Sequence, residues 1–226
     1  MHNETLPIRN ILFDLDGTLV DSLPGIEYAV REAVRAVLTK REARIRDLRR
    51  FIGAPIRELL HLALPGVDEA TLDILVERFR ALYNNDGWRR TAAYISVPEI
   101  LAHLIQVGVR LFVVTNKPAV PTHNILEALR LLGYFTETVS PDSHAPSFAS
   151  KSQATRYLMD RYQLRPDATL LVGDTPEDEM VACACGLRFA AVTYGYGNLP
   201  VGPETGGNYI LARFSDLLQI VTRLKG

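Results

Sequence analysis

The sequence predicts an α/β protein: a parallel sheet covered by helices, interrupted after its first strand by a helical block. Three observations carry that expectation. From Val97 onward, short apolar segments alternate with segments of helical period. Residues 20–93, just before that alternation, show helical period alone. The strand-like segments end in polar residues, which an open parallel sheet gathers at one rim.

Taken in order, Ile8 to Phe13 is an apolar run of strand length. Leu23, Ile26, Val30, Val34 and Val37 recur at spacings of three and four, which predicts a helix from Ser22 to about Lys40. A second helix is expected from Pro55 to Leu64, with Pro55 in its first turn. A third fits Asp68 to Asn84, with Asp68 as N-cap and Leu72, Leu75, Val76, Phe79, Leu82 and Tyr83 as its packing stripe. The alternation then predicts helix Val97 to Gln106, strand Val109 to Val114, and helix Val120 to Leu132 stopped near Gly133. A short strand at Thr136 to Val139 precedes a loop, Ser140 to Ser150. Helix Ser152 to Tyr162, strand Thr169 to Val172, helix Pro176 to Ala184 and strand Phe189 to Val192 follow. Strand Tyr209 to Leu211 and helix Phe214 to Leu224 complete the series. Residues 1–19 and 94–226 thus read as one core, and 20–93 as an insert.

Composition excludes several classes. The 226 residues carry 25 basic and 26 acidic groups, so bulk charge draws the chain to neither nucleic acid nor membrane surface. Cys183 and Cys185 are too few for a disulfide framework or a four-ligand zinc site, and read as small core fillers in a reducing compartment. Met1 to Arg9 lacks a signal-type apolar run, and no stretch reaches membrane-span length. The expectation is a soluble cytoplasmic protein, monomeric or homodimeric. The five histidines (His2, His61, His103, His123, His144) show no metal spacing, and His144 alone lies in the loop before Lys151. Gly195-Tyr196-Gly197 lacks the third glycine of a dinucleotide loop, Pro200 standing there instead.

The functional signal is FDLDGTLVDS, Phe13 to Ser22. Charge has no place at the end of a buried strand unless it is paired or used. Asp14 and Asp16, two apart in extended chain, face the same side. Gly17 permits the turn that follows. The other strand ends bring Thr115-Asn116-Lys117, then Lys151, then Gly173-Asp174 with Asp178 one turn on. Only four residues of the chain are lysine (Lys40, Lys117, Lys151, Lys225), which singles out the two interior ones. Carboxylates gathered this way need a cation, and hard oxygen ligands suit Mg²⁺ with a substrate phosphate. Lys151 and the Thr115 hydroxyl suit phosphate oxygens. An aspartate can attack phosphorus, and a second can serve the leaving group and then water.

FDLDGTLVDS, VVTNKP, Lys151 and VGDTPEDE together resemble the four motifs of the haloacid-dehalogenase superfamily, in its phosphoglycolate-phosphatase-like branch. The resemblance covers essentially the whole chain. It implies a Rossmann-like core with a helical cap inserted after the first strand. It implies that Asp14 is the nucleophile and Asp16 the general acid/base, with Thr115 and Lys151 on the phosphoryl group. Gly17, Thr18, Asn116 and Lys117 would line the pocket. Mg²⁺ would be held by the Asp14 carboxylate, the Asp16 carbonyl and Asp174, with Asp178 close by. Phe51-Ile52-Gly53 with Arg57 resembles the family's substrate-specificity segment, which makes Arg57 a candidate for a second anionic group. Having an acid at Asp16 points to phosphoryl transfer, because the superfamily's dehalogenases lack one there. The sequence departs from the family pattern in two places. Lys151 is followed by Ser152 rather than Pro, and the second cap junction is Tyr94-Ile95-Ser96-Val97 where relatives often have Tyr-Pro-Gly-Val. The expected activity is Mg²⁺-dependent hydrolysis of a small phosphomonoester: phosphoglycolate, a nucleotide or a sugar phosphate. A phosphomutase of the β-phosphoglucomutase type uses the same core residues and is the alternative. A non-catalytic binding protein is the third, disfavoured by intact Asp14, Asp16, Lys151 and Asp174.

Overall fold

A computed structural model describes residues 7–38, 44–197, 199 and 209–223. The expected end of the first helix near Lys40, the expected end of the final helix at Leu224, and His2, Pro200 and Lys225 lie outside the described residues. Six strands form one parallel sheet: β1 (Asn10–Phe13), β4 (Arg110–Val114), β5 (Glu137–Val139), β6 (Thr169–Gly173), β7 (Arg188–Val192) and β8 (Tyr209–Leu211). Their order is β5-β4-β1-β6-β7-β8, with β1 paired to β4 on one side and β6 on the other. β1 is buried along its whole length, as an apolar run without alternation requires.

The period of two sorts the strands into two cores. Ile11, Phe13, Leu111, Val113, Leu170 and Val172 pack on one face. Leu12, Phe112, Val114, Leu171, Phe189 and Ala191 pack on the other. The helices α4 (Val97–Gln106), α5 (Ala119–Ala128), α6 (Lys151–Tyr162), α7 (Pro176–Ala184) and α8 (Leu217–Arg223) alternate with these strands. Such crossovers place every strand's carboxyl end on the same side of the sheet.

Between β1 and α4 lies the helical block: α1 (Leu23–Val37), α2 (Ile56–Ala63) and α3 (Glu69–Asn85), with 3₁₀ turns at Leu48–Phe51 and Gly87–Arg90. It has its own core, built from Ile26, Val30, Leu60, Leu72, Leu75 and Phe79 among others. Asp68 caps α3, accepting from the Thr71 N–H at 3.0 Å, and the expected stripe is buried except for half-buried Leu82. Pro55 stands at the N-cap of α2, one position before the first turn it was expected to occupy. The block enters and leaves through a two-residue antiparallel pair, β2 (Val20–Asp21) with β3 (Ala92–Ala93). Two residues are too few to show a period, so the sequence did not reveal them.

Two expectations are corrected. Helix α5 ends at Ala128, not near Gly133. Arg130 takes φ 57°, the Arg130 N–H donates to Glu127 O at 2.9 Å, and the Leu131 N–H donates to Leu126 O at 2.7 Å. That is the helix stop usually built on glycine, anchored here by fully buried Leu131. Cys183 is exposed and so no core filler, whereas Cys185 is half-buried and packs against the edge of the sheet core. No helix among the described residues is long and apolar enough to cross a membrane.

Candidate active site

The strand ends converge as the rim argument expects. Asp14 follows β1, its N–H extending the ladder to Val172 O at 2.9 Å. Lys151 is the first residue of α6, which Ser150 caps by accepting from the Gln153 N–H. The Lys151 Nζ donates to Asp14 Oδ1 at 2.5 Å and to Asp178 Oδ1 at 2.6 Å. All three side chains are buried. Asp178 also belongs to a capping box at the start of α7: its Oδ2 accepts from the Thr175 N–H at 3.0 Å and hydroxyl at 2.7 Å. It is fully buried and therefore no solvated helix start.

Asp174 completes the cluster. One carboxylate oxygen from each of Asp14, Asp174 and Asp178 lies within 4.8 Å of the others. Three buried carboxylates answered by one lysine leave negative charge uncompensated, and a hard divalent cation suits that donor set. The electrostatics agree. Burial lifts the Asp14 carboxyl well above its ordinary range, Asp178 and Asp174 push the same way, and Lys151 pulls against them. Burial, then Asp178, raises Asp174 to about 6. Burial opposes the charge on Lys151, but Asp14 and Asp178 outweigh it and keep the ammonium protonated. Gly17 takes φ 89°, and a Cβ there would come 2.3 Å from Asp174 Oδ2, so the turn after β1 requires glycine on two counts. The Thr18 hydroxyl is buried and reaches Asp174 Oδ1 at 3.5 Å.

Asp16 stands apart from this cluster. Its carboxylate accepts two hydrogen bonds from Lys117 Nζ, at 3.0 and 2.8 Å, and is absent from the acidic triad. Asp14 and Asp16 thus border one space but answer to different lysines. A carboxylate contact from Asp16 to a metal is not what this geometry offers. Thr115 is buried at the end of β4, its hydroxyl accepting from the Lys117 N–H at 3.2 Å. Asn116 bridges the two parts of the molecule, donating to Glu177 Oε2 at 2.7 Å and to Gly53 O of the helical block at 3.2 Å.

A cavity of about 660 Å³ separates the rim from the helical block and is lined by Asp14, Asp16, Thr115, Lys117 and Lys151 on the core side. Its opposite wall is largely apolar, with Ile26, Ile52, Ile56, Phe79 and Tyr83. The Tyr83 ring lies 4.9 Å from Lys117 Nζ. Arg57 lines the same cavity, but its guanidinium is held by Glu69 and Asp73 of the helical block. His144 is outside the lining and packs instead against Phe148 and Tyr157. Glu177, Tyr83 and Tyr196 were missed by sequence reasoning. The first two gave no signal beyond helical placement, and Tyr196 was weighed only as part of a nucleotide loop.

The geometry meets independent comparisons. The haloacid dehalogenase-like hydrolase family model matches residues 11–192. A phosphoglycolate phosphatase of Vibrio vulnificus is 30% identical, over 95% of this chain and 96% of its own. Phosphoglycolate phosphatase 1 of Pseudomonas aeruginosa is 32% identical, over 93% of this chain and 78% of its own. The crystal structure of a predicted phosphatase from Clostridium acetobutylicum superposes with a TM-score of 0.80 at 28% identity, covering 96% of this chain and 99% of that one. The chain belongs to the haloacid dehalogenase-like hydrolases, in the branch that holds the phosphoglycolate phosphatases, and is an enzyme of the phosphatase class.

Proposed function

We propose that the protein is a Mg²⁺-dependent phosphomonoesterase for a small phosphorylated metabolite, working through a phosphorylated Asp14. Residues 20–93 act as a cap domain on a core of residues 1–19 and 94–226. The observation that carries the reading is the buried Asp14–Lys151–Asp178–Asp174 cluster opening into the cavity beneath the helical block. Asp14, Asp174 and the Asp16 carbonyl would hold Mg²⁺, with Asp178 beside them. The ion supplies positive charge that neutralises the cluster and offsets the phosphoryl charge.

An Asp14 carboxylate oxygen attacks phosphorus, and the ester P–O bond breaks. Asp16, entering the step in its protonated form with one oxygen released from Lys117, gives that proton to the leaving oxygen, so the product is a neutral alcohol. Water then attacks phosphorus and returns a proton to Asp16. The Asp14–phosphorus bond breaks, and inorganic phosphate leaves. Lys151 and the Thr115 hydroxyl hold the phosphoryl oxygens, and Lys117 orients Asp16. The helical block excludes bulk water from the cavity.

The test is phosphate release from phosphoglycolate, nucleoside monophosphates and hexose phosphates, with Mg²⁺ and with EDTA. Metal-dependent release concentrated on one compound is expected. Isomerised sugar phosphate with little free phosphate would replace this reading with a mutase, and silence across the panel would count against both.

A further inference from the structure

The helical block's core contains one buried residue that the block does not supply. Among the described residues, Tyr196, in the segment after β7, is the only buried member of that core from beyond residue 93. Both ends of Tyr196 are engaged. Its backbone N–H donates to Asp174 Oδ2 at 2.7 Å, and the Gly197 N–H donates to the same oxygen at 3.0 Å. Its phenol donates to Asp21 Oδ1 at 2.6 Å and accepts from the N–H groups of Ser22 at 2.7 Å and Leu23 at 3.0 Å. Those two amides open α1.

Locally, helix α1 is capped only from the residue before its N-cap: Asp21 Oδ1 accepts from the Leu23 N–H at 3.2 Å. Ser22 stands at the N-cap position without a side-chain capping bond, and its hydroxyl is buried with no partner among the described residues. The phenol of Tyr196 therefore supplies from a distance what the Ser22 side chain does not, and shares the Leu23 amide with Asp21. Burial, then the bond to Asp21, raises the phenol's pKa, so its proton stays in place. Arg49 of the helical block lies over the ring, 5.4 Å from its centroid. At Gly197 a Cβ would come 1.8 Å from the Asp174 carbonyl oxygen, so the close approach needs glycine.

We propose that Tyr196 is a positioning residue that joins the Asp174 carboxylate to the first junction of the helical block, so that filling the acidic cluster is felt at the start of α1. This rests on the Mg²⁺-phosphatase reading above. A phenol ring is rigid between its Cβ and its oxygen. A shift of the Asp174 carboxylate toward a cation therefore moves both ends of the linkage, through the amide at one end and the hydroxyl at the other. Asp174 keeps one oxygen for the two amides, which leaves the other for the cluster.

The chain's single tryptophan, Trp88, reports on this movement, because it packs against both the sheet core and the helical-block core. The experiment adds Mg²⁺, then Mg²⁺ with orthovanadate, and follows Trp88 emission, with Mg²⁺ binding measured separately by calorimetry. Wild-type protein should bind Mg²⁺ and change its emission. Tyr196→Phe keeps the backbone amide, so its Mg²⁺ affinity should stay within about threefold, while the emission change falls by more than about half. Its KM should rise about tenfold with kcat changed less than about threefold. Should Tyr196→Phe not fold, Asp21→Ala removes the acceptor at the junction end and is read in the same way. Asp21→Asn, which keeps an acceptor oxygen, should restore the response. An unchanged emission response in folded Tyr196→Phe overturns the proposal, as does loss of Mg²⁺ affinity together with the response. Wild-type protein that binds no Mg²⁺ overturns the reading of the site itself, which separates the two failures.

Discussion

The two walls of the cavity are built on opposite principles. The core wall is made of buried charge in which almost every group already has a partner: Lys151 with Asp14 and Asp178, Lys117 with Asp16. The helical-block wall is largely apolar, and its Arg57 is held by Glu69 and Asp73 of the same block. The difference separates two tasks. A reacting phosphoryl group needs preorganised charge on rigid elements, and the strand ends supply it. The rest of the substrate needs shape and dryness, which a separate block can change without disturbing the charges.

The largest expected effect lies on the core wall. Asp14→Asn should lower kcat by about 10⁴-fold or more, while circular dichroism and melting show an intact fold. Phosphate release within tenfold of wild type from clean protein would falsify the assignment of Asp14 as nucleophile.

Metal comes next. Mg²⁺ at a hundred times its dissociation constant should stabilise the protein by about 2.7 kcal/mol. The gain depends on pH in a definite direction. Without metal, the folded protein keeps a proton on Asp174 up to about pH 6, whereas the unfolded chain loses it in the ordinary carboxylate range. The folded state then binds more protons across that window, so metal-free stability falls as pH rises through it. Protons compete with Mg²⁺ at the same oxygens, so the Mg²⁺-induced rise in Tm should be larger at pH 8 than at pH 5. Equal shifts at both would show that Asp174 takes no part in binding.

On the other wall, Ile56→Ala should change KM by a few fold and kcat by less than about twofold, since it alters shape and no charge. Steady-state kinetics on the preferred substrate decide this, and a kcat loss comparable to that of Asp14→Asn would erase the division of labour. The smallest effect belongs to the junction. Ser96 holds φ 67° in the left-handed region, which glycine adopts without steric cost. Ser96→Gly should raise stability by about 0.5 kcal/mol, read by urea denaturation. No gain would mean that Ser96 bears no strain worth relieving.

Much of the core wall was legible in advance, for a physical reason. A carboxylate after an apolar strand is costly unless used, so Asp14 and Asp174 announced themselves. Lys151 stood out because lysine is scarce. The pairing of Asp16 with Lys117 was not legible, because their side chains meet across 101 residues of sequence. The end of α5 was misjudged because Arg130 adopts a conformation that usually marks glycine. Tyr196 carried no legible signal, since its role depends on β7 and α1 meeting in space. Apart from Ile52 and Gly53, to which the resemblance pointed, the apolar wall was visible only as packing stripes, because a residue that packs inside a block and one that lines its cavity obey the same period.

The position of β1 also bears on synthesis. The strand that delivers Asp14 is made before both of its neighbours, yet it lies in the middle of the sheet and pairs with residues 110–113 and 169–172. A growing chain has completed α1, α2 and α3, whose contacts with one another are close in sequence, long before either neighbour of β1 exists. Asp14 waits on the ribosome without Lys151, Asp174 or Tyr196. A chain that stops before β6 therefore leaves β1 without one of its two neighbours and Asp14 without the other two carboxylates of the cluster.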